Sequence, residues 1–263
     1  MSSTPPTTLK PKVTIWIWPT GLFPRRIMYY FRAKNITLST LAAHNIHLIP
    51  VAIDMAAKTL KANDKYEQKP EGMSLPCMRI ENGEEGGTEY VHESLAIIAF
   101  LEEVLPRGSQ DIMGSTPLQR ARTHDILSVL SEAILWTSDA LMHSDPNTLF
   151  WSGLTESTMS ASTAKDAKKR FDRLLSKLEG WVEDGVIRGG MQNLSGQGAS
   201  VTLVDIVLMT SVCYAEDFYG ADWIEDHGVL RIWCERAKGA EWWVSAEALK
   251  ECEVSGWEAV LEK

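Results

Sequence analysis

The sequence predicts an α/β N-terminal domain of order βαβ then ββα, followed by an all-helical C-terminal domain. Three observations carry this. Strand-like and helical runs alternate as far as residue 105, a stretch rich in Gly, Ser and Pro follows, and every periodic segment beyond it repeats at helical spacing. The length of 263 residues agrees, because chains above roughly 250 residues usually divide their core between two domains.

Residues 13–18 are β-branched and aromatic and stop at Pro19, Thr20 and Gly21, which predicts a strand running into a turn. Pro24 then stands where a first-turn proline is tolerated, and Ile27, Tyr30, Phe31 and Lys34 recur at helical spacing. Residues 47–53 form a second strand, and Pro50, which cannot donate to a ladder, predicts that it lies at a sheet edge. Strand, helix and strand make a right-handed crossover with the two strands parallel. Residues 54–71 are polar and read as an irregular helix and loop. Residues 75–80 make a third strand that begins at a proline, and 82–87 supply a hairpin loop into 88–91, long enough to predict a mobile tip. Ile97, Phe100, Leu101, Val104 and Leu105 fall at i, i+3, i+4, i+7 and i+8, an amphipathic helix ended by Pro106.

Gly108, Ser109, Gly114 and Pro117 mark a linker. Beyond it, Ile126, Val129, Leu130 and Ala133 define one amphipathic helix, and Phe171, Leu174, Leu175, Leu178 and Val182 another. Thr202 and Asp205 have the spacing of a capping box, with an acid in place of the usual Glu or Gln, and open an apolar helix running through Tyr214. The expected division is a flexible tail over 1–12, an α/β domain over 13–107, a linker over 108–117 and a helical bundle over 118–263.

Composition excludes several classes. With 44% hydrophobic and 23% charged residues the chain sits near globular averages, against disorder, collagen-like repeats or a coiled coil. The most apolar window, 201–215, carries Asp205 and several hydroxyls and falls short of the roughly 18 uninterrupted apolar residues of a membrane helix, so no membrane partner is expected. Residues 1–12 lack both the apolar core of a secretory signal and the arginines of a transit peptide, which predicts a cytoplasmic protein. Cys77, Cys213, Cys234 and Cys252 are far apart, with no histidines at ligand spacing, so reduced thiols and no metal are expected. Residues 1–107 carry 12 Lys and Arg against 11 Asp and Glu, and the remainder 14 against 24. Neither part has the basic face that nucleic acid requires, whereas the near-neutral first part suits a small anion.

The order of elements, with Leu75-Pro76 opening the third strand and Glu93-Ser94 opening the helix after the hairpin, resembles the glutathione transferase family over nearly the whole chain. The Thr202 and Asp205 box matches the one in that family's core helix. The resemblance implies a thioredoxin-like N-terminal domain that binds glutathione as cosubstrate, a helical domain that holds a small apolar electrophile, and a homodimer. It also implies that Leu75-Pro76 is cis, which turns the Leu75 backbone toward the cysteinyl part of glutathione, although a proline at a strand start is by itself equally an ordinary trans bond. Glu93-Ser94 is implied to grip the γ-glutamyl end. An acid and a hydroxyl near a helix start commonly do no more than stabilise exposed amides, yet the free N–H groups and the Glu93 carboxylate together suit an amino-acid zwitterion.

In the family a Tyr, Ser or Cys follows the first strand and acts on the glutathione sulfur. Here the loop reads Trp18, Pro19, Thr20, Gly21, Leu22, Phe23, Pro24, Arg25, Arg26, and Thr20 is its only hydroxyl. Thr20 is therefore the catalytic candidate. A thiol near pKa 8.5 is only a few per cent ionised at about pH 7, so one donor plus the positive end of the following helix raises the thiolate fraction several-fold. Against that, threonine is a routine loop residue, and Arg25 and Arg26, which could assist electrostatically, read more readily as a solvated helix face. Lys58, Lys65, Gln68 and Lys69 lie where the family approaches the glycine carboxylate of glutathione, with Lys65 and Gln68 preferred. Cys77 and Cys213 read as buried and inert, and His92 as a turn residue. Trp136, Met142, Phe150, Trp151, Phe218 and Trp223 are candidates for the apolar pocket or for core.

Two functions fit this pattern. One is an enzyme that adds the glutathione thiolate to an apolar electrophile, as conjugation or as addition and elimination giving isomerisation. The other is a non-catalytic glutathione-binding carrier or regulatory module, favoured by the missing Tyr, Ser or Cys.

Overall fold

The computed structural model describes residues 11–54, 57, 59–82, 87–106, 111–196 and 201–262. Two compact units are present, Met1–Arg107 together with Glu247–Lys263, and Gly108–Ala246. Residues 1–10 of the tail expected over 1–12, the hairpin tip at 83–86 and residues 108–110 of the linker expected over 108–117 lie outside the described residues, and Lys12, counted in the tail, is instead the first residue of a strand.

In the first unit, β1 (Lys12–Ile17) is buried almost throughout and runs into α1 (Leu22–Ala33) through the Pro19-Thr20-Gly21 turn. An added Cβ on Gly21 would lie 2.5 Å from the Trp18 ring, so only glycine lets that ring close over the turn. A short helix not foreseen in the sequence, α2 (Leu38–Ala43), follows, capped by Thr37. Then come β2 (Ile46–Asp54), β3 (Thr59–Ala62), β4 (Cys77–Glu81), β5 (Thr88–Val91) and α3 (Ser94–Val104). They form a five-stranded sheet of order β3-β2-β1-β4-β5, with β1 and β2 parallel and the other pairs antiparallel. This is a thioredoxin-like arrangement.

Three expectations are corrected here. β2 is not an edge strand. Its first part, ending at Pro50 opposite Ile17, pairs with β1, and its second part, beginning at Val51 opposite Ala62, pairs with β3. Pro50 sits at the changeover between the two ladders, so its missing N–H is tolerated inside the sheet. The described residues of 54–71 contain a strand and no helix, because Thr59–Ala62 completes the open edge of Val51–Asp54, a tertiary partner that local propensity does not reveal. Finally, the last seventeen residues group with the first unit and not with the helical one. There Trp257 is buried and its indole N–H donates to Leu48 O (3.1 Å), and Arg32 Nη1 donates to Val260 O (3.3 Å).

The second unit is helical. α4 (Pro117–Ser144), capped by Thr116, packs along α6 (Ala161–Glu183), capped by Ser160, with the four-residue α5 (Leu149–Ser152) between them in sequence. α7 (Leu203–Tyr219) is buried over most of its length and opens with the expected capping box: Thr202 N–H and Oγ1 both donate to Asp205 Oδ2 at 2.7 Å. Asp205 Oδ1 also accepts from Leu194 N–H and the Trp233 indole, the latter on α8 (Gly228–Lys238). Beyond α8 come α9 (Ala246–Val254) and α10 (Glu258–Leu261). Among the described residues no helix is long and apolar enough to cross a membrane, and no cluster of His, Cys, Asp and Glu suits a metal ion.

Candidate functional site

The first turn of α1 is the organiser. Arg25 and Arg26, expected on a solvated face, are 1% and 5% exposed. Arg25 Nη2 donates to Thr20 O (2.9 Å) and so fixes the loop after β1. Arg26 Nη1 donates to Ser94 Oγ (3.3 Å), and its guanidinium lies 4.8 Å from the centre of the Phe23 ring. Burial pulls the Arg26 pKa down to about 10 even though neighbouring Glu93 acts the other way. Its Nε is buried and meets no partner among the described residues. A guanidinium held this way is short of negative charge and of one acceptor.

Opposite it, α3 begins. Glu93 is the exposed N-cap whose carbonyl accepts from Ile97 N–H (2.9 Å), while Ser94 is 2% exposed. The amides of Ser94, Leu95 and Ala96 precede the first intrahelical bond, so the helix presents free N–H groups and its positive end. Ser94 Oγ, these amides and the Arg26 guanidinium thus lie together at the start of α3, with Glu93 near enough to act on the Arg26 charge.

Leu75-Pro76 is cis. Leu75 is half-buried and packs, with Trp18, Leu60, Tyr66 and Met73, on the cluster formed by Trp16, Ile49, Val51, Ala62 and Cys77. The Cys77 thiol is fully buried, and burial pushes its pKa up to about 11, which matches the inert role expected of it.

The residues expected near a glycine carboxylate do other things. The Gln68 side chain is a clasp on β3: its Oε1 accepts from Ala62 N–H (3.1 Å) and its Nε2 donates to Ala62 O (3.0 Å). Lys65 is exposed, with its ammonium 4.9 Å from the centre of the Tyr66 ring. Lys69 Nζ closes its own loop onto Met73 O (2.9 Å), and Lys58 lies outside the described residues. His92 is exposed and stacks 6.5 Å from Tyr90.

Thr20 is buried, and its hydroxyl is engaged. Oγ1 donates to Glu253 Oε1 (2.5 Å), on α9. The same carboxylate accepts from the Thr20 backbone N–H and from the Trp18 side chain. Burial raises the Glu253 pKa, and those three donors oppose the rise.

In the helical unit, a cavity of about 330 Å³ is lined by Leu141, Phe171, Trp223, Ala140, Lys168 and other residues, with Phe171 and Trp223 edge to face at 5.7 Å. Trp223 is thus in an apolar cavity. Trp151 instead donates its indole N–H to Tyr219 OH (3.2 Å), Phe218 packs on Tyr214 in a tilted pair at 4.8 Å, and Trp136 lies under the Arg170 guanidinium at 4.6 Å.

Sequence reasoning missed Arg26 as a buried site cation and Glu253 altogether. Arg26 carried a signal, since the Arg25-Arg26 pair is flanked within one helix by Leu22, Phe23 and Pro24 before it and Ile27 and Met28 after it. Glu253 carried none, because it is 233 residues from Thr20.

A thioredoxin-like unit with a cis-proline before β4, joined to a unit of long helices capped at Thr202 and Asp205, is the fold of the glutathione transferases. No protein-family model and no curated protein sequence matches the chain. Among solved structures it is similar to glutathione transferase F7 from Populus trichocarpa, at 14% identity and TM-score 0.60 over 92% of this chain and 99% of that one. It is similar also to maleylacetoacetate isomerase from Anaeromyxobacter dehalogenans with bound dicarboxyethyl glutathione and citrate, at 20% identity and TM-score 0.56 over 93% of each chain. Human glutathione S-transferase T1-1 aligns at 15% identity and TM-score 0.57 over 95% of this chain and 91% of that one.

Proposed function

We propose that the chain binds glutathione through its first unit and transfers the glutathione thiolate to a small apolar electrophile, by conjugation or by addition and elimination giving isomerisation. The observation that carries this reading is the buried Arg26 guanidinium bonded to Ser94 Oγ at the start of α3. Arg26, Ser94 and the α3 amides would hold the γ-glutamyl carboxylate, and Glu93 the adjacent ammonium. The backbone beside the cis bond at Leu75-Pro76 would take the cysteinyl part. Lys65, exposed with its ammonium over the Tyr66 ring, is the cation proposed for the glycine end, whereas the Gln68 amide is committed to β3. Thr20 remains the residue proposed to stabilise the thiolate. The apolar cavity around Phe171 and Trp223 supports an apolar second substrate. A homodimer in the cytoplasm, implied by the resemblance to the family, belongs to the same reading.

Calorimetry with glutathione, together with turnover of a generic chloronitrobenzene, tests the reading on wild type, Ser94→Ala, Arg26→Met and Thr20→Val. Ser94→Ala should weaken glutathione binding by about 1 to 3 kcal/mol, and Arg26→Met by at least as much, because a charge-assisted partner is lost. No binding by wild type at millimolar glutathione would refute the proposal. Unchanged turnover in Thr20→Val would remove that hydroxyl from the chemistry.

The second reading, a glutathione-binding carrier or regulatory module without turnover, is favoured by one observation: the Thr20 hydroxyl is already donated to Glu253. Binding without turnover of any electrophile tried would select it.

A further inference from the structure

Three donors at the end of β1 converge on one anion. The Thr20 hydroxyl, the Thr20 backbone N–H and the Trp18 side chain all point their hydrogens at the Glu253 carboxylate. The loop that carries them is rigid: Arg25 holds Thr20 O, the Gly21 N–H donates to Trp18 O (3.0 Å), and the Trp18 ring covers Gly21. Such a set of fixed donors following the first strand is what a thiolate would require, and it is filled by the protein's own acid.

We propose that Glu253 is an internal latch: its carboxylate occupies the donors meant for the glutathione thiolate, so that the sulfur and the α9 carboxylate compete for one anion site. The inference rests on the glutathione reading above and names its regulation.

Two further observations support exchange. Glu253 is only half-buried and borders an open, polar depression of about 290 Å³ lined also by Ala52, Lys61, Asn63 and Asp64, so the carboxylate has solvent to move into. Burial raises its pKa while the three donors oppose the rise, so this carboxylate is neutralised more readily than one in water, and a neutral acid has a weaker hold on the donors. Two anions on the same donors repel each other, so thiolate and carboxylate exclude one another. The latch also accounts for the form of the loop. A lone threonine is a weaker thiolate stabiliser than a set of three donors, and the structure supplies three once Glu253 is out.

The test compares wild type, Glu253→Gln and Glu253→Ala, each first shown to fold by its near-ultraviolet circular dichroism. Two ligands are titrated by calorimetry: glutathione, and ophthalmic acid, in which a methyl group replaces the thiol. The thiolate is followed by its ultraviolet difference absorbance. If the latch operates, both variants bind glutathione about tenfold more tightly and hold a larger thiolate fraction, while ophthalmic acid gains less. Equal glutathione affinity and equal thiolate fraction in all three proteins would overturn the latch while leaving the glutathione reading intact. Reduced turnover in Glu253→Gln at unchanged affinity would also overturn it, making Glu253 a proton acceptor instead. Failure of all three proteins to bind either ligand would remove the glutathione reading, and the latch with it. Glu253→Gln keeps the side-chain shape, so the comparison survives if the alanine variant misfolds.

Discussion

Replacing Asp205 by alanine should be among the most damaging single changes in the helical unit, and its cost follows from the contacts. The side chain is fully buried and accepts from Leu194 N–H (2.9 Å), Thr202 N–H (2.7 Å), Thr202 Oγ1 (2.7 Å) and Trp233 Nε1 (3.1 Å). The three N–H donors belong to buried residues, and at about 1 to 3 kcal/mol for each buried donor left unpaired the loss is about 6 kcal/mol. Against this, burial pushes the carboxyl up to about 6 from its ordinary 3.8, so the ionised form is held at a penalty of about 3 kcal/mol that alanine removes. The balance is a loss of about 3 kcal/mol, or roughly 6 to 12 °C in Tm for a chain of this size. Thermal and urea unfolding followed by tryptophan fluorescence measures it. A loss below about 1 kcal/mol would refute the reasoning, since Leu194 and Thr202 would then have found other acceptors. The pH dependence has a definite sign. The folded pKa lies above the unfolded one, so the folded chain binds the proton more tightly in that interval. The stability of wild type relative to Asp205→Asn should therefore fall as pH rises from about 4 to about 6 and stay level above it.

Other predictions concern the first unit and the thiols. Gln68→Ala should destabilise β3 by about 1 kcal/mol and leave glutathione affinity unchanged, because both ends of the amide serve Ala62; a loss of affinity in calorimetry would return Gln68 to the binding site. Trp257→Ala should cost about 3 to 5 kcal/mol in urea unfolding, since it empties a buried indole site and leaves Leu48 O without its donor, and an unchanged midpoint would show that the C-terminal segment contributes nothing to that unit. All four cysteines are buried, and burial pushes Cys77 to about 11 and Cys234 to about 12. Native protein at about pH 8 should react with iodoacetamide far more slowly than urea-unfolded protein, and mass spectrometry showing fast labelling of Cys77 would contradict its burial.

The elements most legible in the sequence are those whose cause is local. β1 is a run of β-branched and aromatic residues, α3 has an uninterrupted helical period, and α7 begins where Thr202 and Asp205 can cap each other. The elements misread are those whose cause lies elsewhere in the chain. Thr59–Ala62 has no strand composition and becomes a strand because the second half of β2 offers an open ladder. Pro50 breaks a ladder only if a partner needs its N–H, and the changeover between β1 and β3 spares it.

The same division holds for the site. By itself the sequence determined the fold class, the Leu75-Pro76 and Glu93-Ser94 positions, and the absence of a Tyr, Ser or Cys after β1, because these depend on residue type and spacing along one stretch. Only the tertiary structure decided that Leu75-Pro76 is cis and that Arg25 and Arg26 are buried, with Arg26 turned onto Ser94. It also decided that the Gln68 amide is spent on β3 and that the C-terminal segment returns to the first unit to set Glu253 on Thr20. The physical reason is that charge, burial and hydrogen-bond partnership belong to pairs of groups. Pairs such as Thr20 with Glu253 or Arg26 with Ser94 are brought together by the packing of whole elements, which no local window of the chain encodes.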